Sequence, residues 1–94
     1  CGSVRLANLE GTKLTEANLK GADLSGADLE SAFLYDARLT EANLKGANLT
    51  RADLQGANLQ DADLQDADLS GANLEGAILC ITTMPDGSVI YSGC

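Results

Sequence analysis

The chain has 94 residues and carries 14 Asp+Glu against 6 Lys+Arg, a net charge of −8. That length suits one small domain, and the acidic balance argues against direct binding to nucleic acid or to an anionic membrane, both of which need clustered Lys and Arg. With no His, no Trp, one Phe and two Tyr, the chain also lacks the aromatic volume of an ordinary globular core and the usual general base of neutral-pH catalysis.

The first residues are Cys1-Gly2-Ser3. They read as a cloning or truncation edge, or as an engineered coupling point; the alternative is the lipid-anchored cysteine of a processed bacterial lipoprotein. No stretch approaches the ~18 apolar residues of a membrane span. No signal-peptide core is visible either, so the chain reads as cytosolic or as processed. Leu6 is an apolar residue at an outward position, as though it faced a missing segment or a neighbour.

From there a period of five dominates, and internal repetition takes precedence over any secondary-structure reading. Leu stands at 9, 14, 19, 24 and every fifth position to 79, and Val4 extends the series backward. Two residues before each Leu is a small residue, Ala at nearly every repeat and Thr at 12. The residue just before Leu is mostly Asn or Asp, and the two after it are polar or Gly. On an α-helix a step of five scatters the leucines around the circumference. On a flat strand an odd step sends successive leucines to opposite faces. The period makes sense only if the chain turns a corner every five residues, so that Leu and the small residue both point inward while the other three side chains point out. Asn, Asp and Gly suit such corners because they tolerate turns and positive φ.

The runs Ala17-Asn18-Leu19-Lys20-Gly21 and Ala22-Asp23-Leu24-Ser25-Gly26 match the motif Ala-(Asp/Asn)-Leu-x-x. The chain thereby resembles the pentapeptide-repeat family over residues 3–81. The resemblance implies an all-β fold, a right-handed quadrilateral β-helix or β-solenoid of about four coils, with four pentapeptides to a coil. Residues 20 apart then stack. Leu9, Leu29, Leu49 and Leu69 form one inner column, and Leu14, Leu34, Leu54 and Leu74 form another. With ~4.8 Å between coils the rod is ~20 Å long. Leu44→Asp is expected to unfold the domain.

Two outward features stand out along the repeat. Phe33 and Tyr35 flank the inward Leu34 on one side, with Lys13 below and Asp53 above, and make an aromatic patch suited to a protein partner or to stiffening of the rod. Asp61, Asp63, Asp66 and Asp68 are the densest acidic group. They offer weak Ca²⁺ binding at best; corner positions aim them in different directions, so they read as solvated surface with no metal site. The columns Asp23, Asn43, Asp63 and Asn8, Asp28, Asn48, Asp68 read as ladders that hydrogen-bond between coils. No Ser-His-Asp or Cys-His set and no phosphate loop is present, so no catalytic residue, no cofactor and no enzyme activity is assigned.

The repeat stops near residue 81, and residues 82–94 differ in kind. Pro85-Asp86-Gly87 is a turn signal between two short β-like runs, which reads as a C-terminal cap over the last coil. The tail resembles the short Met-Pro-Asp-Gly tails of cyanobacterial and plastid pentapeptide proteins. A tail folding back at that turn brings Cys94 towards Cys80. Such a disulfide closes a loop of about 15 residues, worth ~3 kcal/mol, and favours an oxidising compartment, the periplasm or thylakoid lumen. Two unpaired thiols in the cytoplasm are the alternative.

The single domain, 1–94, therefore reads as a non-catalytic structural or protein-interaction module, a monomer or an end-to-end dimer, with no identified partner. One alternative is a DNA mimic that binds DNA gyrase or topoisomerase, as some members of the family do. The −8 charge fits that idea, although those members resemble longer dimeric rods. The other alternative is an engineered or idealised repeat scaffold, suggested by the unbroken register.

Overall fold

The computed structural model describes residues 8–92 and Cys94; Cys1, Leu6 and the other residues before Asn8, with Gly93, lie outside the described residues. Each pentapeptide forms a short extended segment followed by a tight turn. The N–H of the small residue donates to the C=O of the preceding Leu, as from Ala17 to Leu14 at 3.0 Å and from Ala47 to Leu44 at 3.0 Å. The second residue after Leu has a positive φ at every corner, whether it is Gly21 (68°), Glu41 (63°) or Arg51 (58°), and the residue before it does not. A β-turn with positive φ only at its third residue is the type II pattern. This turn is what converts a five-residue sequence period into a change of direction.

Four such corners bring the chain back over itself. Parallel pairing joins residues 20 apart without interruption, from Asn8 with Asp28 to Asp63 with Thr83, so the solenoid is four-sided and runs to just under four coils. Each coil bonds to the next in both directions. The N–H of Leu34 donates up to the C=O of Asp53 at 2.7 Å, and the N–H of Phe33 donates down to the C=O of Thr12 at 2.9 Å. The ladder satisfies the backbone groups that an extended chain would otherwise leave bare.

Leu and Ala fill the interior. Every Leu from Leu24 to Leu64 and every Ala from Ala22 to Ala62 is almost wholly buried. At the two ends Leu9, Leu14, Leu19, Leu69, Leu74 and Leu79 are only partly covered, since each has a neighbouring coil on one side. No helix occurs among the described residues, and none is present that could cross a membrane.

The five-residue geometry outlasts the five-residue sequence. Ile81 occupies the corner position with φ 54°, Thr82 the position of the inward Ala, and Met84 that of the inward Leu. Thr82 is fully buried, and its hydroxyl donates to the C=O of Leu59 at 2.7 Å. Met84 packs on the core. Coil-to-coil bonding continues through Leu64 N–H to Thr83 C=O (2.8 Å) and Asp66 N–H to Pro85 C=O (3.0 Å). Pairing thus carries the solenoid to Pro85, past the residue 81 at which the letter pattern ends, because Met fills the Leu position and Thr fits the small-residue position with its hydroxyl satisfied by the Leu59 carbonyl.

Strand β1 (Leu79–Thr83) lies on this last coil, and β2 (Val89–Ser92) folds back on it antiparallel. The register is Leu79 with Ser92, Cys80 with Tyr91, Thr82 with Ile90 and Thr83 with Val89, with a bulge at Ile81. The connection is a turn in which Gly87 N–H donates to Met84 C=O (2.8 Å) and Met84 N–H to Ser88 C=O (2.7 Å). Pro at the second turn position and Gly87 at φ 86° suit this three-residue loop. Cys80 and Cys94 are joined by a disulfide, with Cα atoms 4.9 Å apart, which ties the tail to the last coil.

Candidate interaction surfaces

The outward side chains divide into a local structural set and a smaller set free to meet a partner. The Asn or Asp before each Leu belongs mainly to the first. Its Oδ1 accepts from the backbone N–H two residues later, as in Asn8 to Glu10 (3.1 Å), Asp53 to Gln55 (3.1 Å) and Asn73 to Glu75 (3.0 Å). This is the Asx turn, and it props each corner from outside. The sequence reading expected these columns to bond between coils. Such a bond runs from Asn48 Nδ2 to Asp28 Oδ1 at 3.5 Å, but the recurrent bond is the local one. The hydroxyl and then the backbone N–H of Ser70 keep the Asp68 carboxyl below the ordinary aspartate range, and Ser88 does the same for Asp86.

Phe33 and Tyr35 stand on the face of Leu34 and are 46% and 42% exposed. Phe33 pairs through its backbone with Lys13 below and Asp53 above, so the aromatic pair is bordered by polar and charged groups along the axis. The corner column beside this face carries Arg51, which makes an ion pair with Glu30 of the coil beneath. On another face Lys45 reaches Asp63 at 3.9 Å, both well exposed; a pair of that kind adds little stability.

A second apolar surface, which the sequence reading did not single out, lies at the C-terminal hairpin. Tyr91 is 68% exposed, Ile81 45% and Val89 44%. The signal lay in the two short apolar runs around Pro85, which read as a cap over the last coil without assigning which side chains face out. Strand alternation splits them. Ile90 pairs with the buried Thr82, while Val89 and Tyr91 pair with Thr83 and Cys80 on the outward side. The charge is also unevenly spread along the chain. Arg51 is the last basic residue, and the carboxylates of Asp53, Asp61, Asp63, Asp66, Asp68, Glu75 and Asp86 follow it without a single Lys or Arg.

Among the described residues, no group of three or more Asp, Glu, Cys or His is placed to hold a metal ion, and no pocket opens on the surface. The chemistry on offer is that of flat faces and edges.

Residues 5–41 and 42–79 match the family of pentapeptide repeats in eight copies. The chain is similar to solved pentapeptide-repeat proteins. With alr5209 of the cyanobacterium Nostoc it shares 42% identity and a TM-score of 0.84, over 85% of this chain and 66% of that one. With HetL of Nostoc, a protein involved in the regulation of heterocyst differentiation, it shares 37% identity and a TM-score of 0.56, over 94% of this chain and 43% of HetL. A thylakoid-lumen pentapeptide-repeat protein of Arabidopsis thaliana shares the fold at 24% identity and a TM-score of 0.52, over 95% of this chain and 69% of that one. The chain spans less than two thirds of the length of the two Nostoc proteins. No curated protein matches it in sequence.

Proposed function

Because the chain belongs to the pentapeptide-repeat family, whose fold is a right-handed quadrilateral β-helix, we propose that it is a non-catalytic protein-binding module whose partner seats on the Phe33/Tyr35 face. The observation that carries this reading is the pair of half-exposed aromatic rings on an otherwise polar side of a rigid rod. Exposed aromatics on a preorganised scaffold bury large area at small cost in side-chain entropy and often anchor interfaces. The ladder beneath them supplies the preorganisation: Phe33 and Leu34 are bonded to both neighbouring coils. The Cys80–Cys94 disulfide suits an oxidising compartment, the periplasm or thylakoid lumen.

The test is a pull-down from that compartment with the folded chain, beside a Phe33→Ala/Tyr35→Ala variant. Neither side chain is in the core, so the variant keeps its circular dichroism and melting profile. Loss of the captured protein with the variant is the expected result. Equal capture by both proteins contradicts the assignment of this face.

A second reading, mimicry of duplex DNA towards gyrase or topoisomerase, draws support from the charge after Arg51. Seven carboxylates over about two coils, at ~4.8 Å a coil, approach the one charge per ~1.7 Å of duplex DNA. The match lapses in the earlier coils, where residues 1–51 carry six Lys and Arg among seven Asp and Glu. A supercoiling assay with purified protein is expected to show no inhibition of gyrase; inhibition would favour mimicry over the aromatic face.

A further inference from the structure

The C-terminal hairpin combines three properties found together nowhere else among the described residues. Its outer surface is apolar, through Ile81, Val89 and Tyr91. It presents a strand edge unpaired among the described residues: β2 pairs with β1, and no other described strand lies along its other side. It is set in the half of the chain that has carboxylates and no bases. Residues 20 apart stack, so Asp61 lies one coil below Ile81 and Asp66 one coil below Asp86. The latter stacking is seen directly, since the Asp66 N–H bonds the Pro85 C=O. Neither Asp61, Asp66 nor Asp86 takes part in an ion pair among the described residues.

We infer that the outer edge of β2 is a docking site for an extended, basic segment of another protein, which adds to the hairpin as a further strand. Backbone groups along a free edge are a ready template for such addition. The incoming strand has two faces. One sets apolar side chains against Val89 and Tyr91, and its Lys and Arg lie in the field of the base-free half of the chain, with Asp86 in the hairpin's own turn as the nearest carboxylate. The charge selects the occupant. Two copies of this chain meeting edge to edge would bring two acidic, base-free ends together, and like charges juxtaposed across an interface are unfavourable. A basic strand gains from the same field, and its arrival is faster at low salt. This site lies on the end of the rod and is independent of the Phe33/Tyr35 face.

The probe is a fluorescently labelled peptide of about eight residues alternating lysine and valine, followed by anisotropy at low and moderate salt. One control alternates glutamate and valine; the other keeps the lysines and replaces the valines with proline, which cannot join a strand ladder. The lysine–valine peptide is expected to bind, to weaken as salt rises, and to bind at least about tenfold more tightly than either control. Val89→Lys/Tyr91→Lys is expected to weaken it by about tenfold or more, and Asp61→Asn/Asp66→Asn/Asp86→Asn to weaken it at low salt and flatten its salt dependence, while Phe33→Ala/Tyr35→Ala leaves it unchanged. All these side chains are exposed, and Asn is tolerated at the left-handed φ of Asp61 and Asp66, so the variants fold, as circular dichroism will verify. Equal binding of the proline peptide would reduce the effect to charge alone and overturn the proposal. So would indifference to both hairpin variants, or sedimentation showing that the chain dimerises through this edge and that Val89→Lys/Tyr91→Lys abolishes the dimer.

Discussion

Leu44→Ala isolates the quantity on which the solenoid depends. Leu44 is fully buried in the column between Leu24 and Leu64, which are equally buried. Its own N–H is bonded to Asp63 of the coil above, and its C=O accepts from Ala47 within the turn. The coils around it are therefore held apart by backbone bonds, and their side chains cannot slide into a vacated space. Leu→Ala changes in cores cost about 2.7–5.0 kcal/mol, the larger values where the site cannot collapse. This geometry places Leu44→Ala at ~4–5 kcal/mol. Leu14 supplies the contrast, because it is partly exposed and stacks on a described coil on one side only; the same substitution there is expected to cost about 2 kcal/mol. Urea unfolding followed by far-UV circular dichroism measures both. Domains of this kind have ~5–15 kcal/mol in total, so Leu44→Ala leaves a marginal fold and Leu14→Ala a frayed but stable one. Equal costs at the two sites, or less than ~2 kcal/mol at Leu44, would refute the argument that the ladder prevents collapse.

Gly46 and Gly56 share a left-handed φ but differ in surroundings. A Cβ at Gly46 meets nothing within 4 Å, whereas one at Gly56 runs into the Asp36 carboxylate. Gly46→Ala is expected to cost ~1 kcal/mol, all of it conformational; Gly56→Ala costs more, and adding Asp36→Ala removes the excess, by thermal melts of the three proteins. Ser88→Ala removes the main hydrogen bond that lowers the Asp86 pKa, so the Asp86 titration followed by carboxyl NMR moves up towards the ordinary aspartate range. The sign for stability follows. Because the folded pKa values of Asp68 and Asp86 are depressed, their contribution is present at neutral pH and is lost only as pH falls through those lowered values. Reduction of the Cys80–Cys94 bond frees a 14-residue separation and is expected to lower stability by ~3 kcal/mol, with a lower melting temperature in reductant and a mass change on alkylation as the readouts.

The interior was legible in the sequence because one rule, a Leu and a small residue every five positions, has a single geometric solution. The leucine register from Leu9 onward follows from it, while the four sides, and with them the stacking of residues 20 apart, came from the family resemblance. The end of the solenoid was not legible, because Thr82 and Met84 satisfy the interior by size while breaking the letter pattern. Neither was the role of Asn8, Asp53 and their equivalents, since an Asx turn and an inter-coil ladder use the same side chains at the same spacing, and only the corner geometry decides between them. The Phe33/Tyr35 face could be placed from spacing alone. The Tyr91 surface could not, because strand register in the tail, fixed by the bulge at Ile81, determines which of Val89, Ile90 and Tyr91 turns outward.

The pairing of residues 20 apart gives this molecule two unequal codes. Its inside repeats after five residues and its outside after twenty. Insert or delete one pentapeptide, and every leucine still finds a leucine column, so the interior is undisturbed. Everything beyond that point on the surface, however, is rotated by a quarter turn relative to everything before it. The bearing of the hairpin relative to the Phe33/Tyr35 face is thus a dial with four settings, and a lineage can move from one to the next by a single duplication without redesigning a single contact in the core.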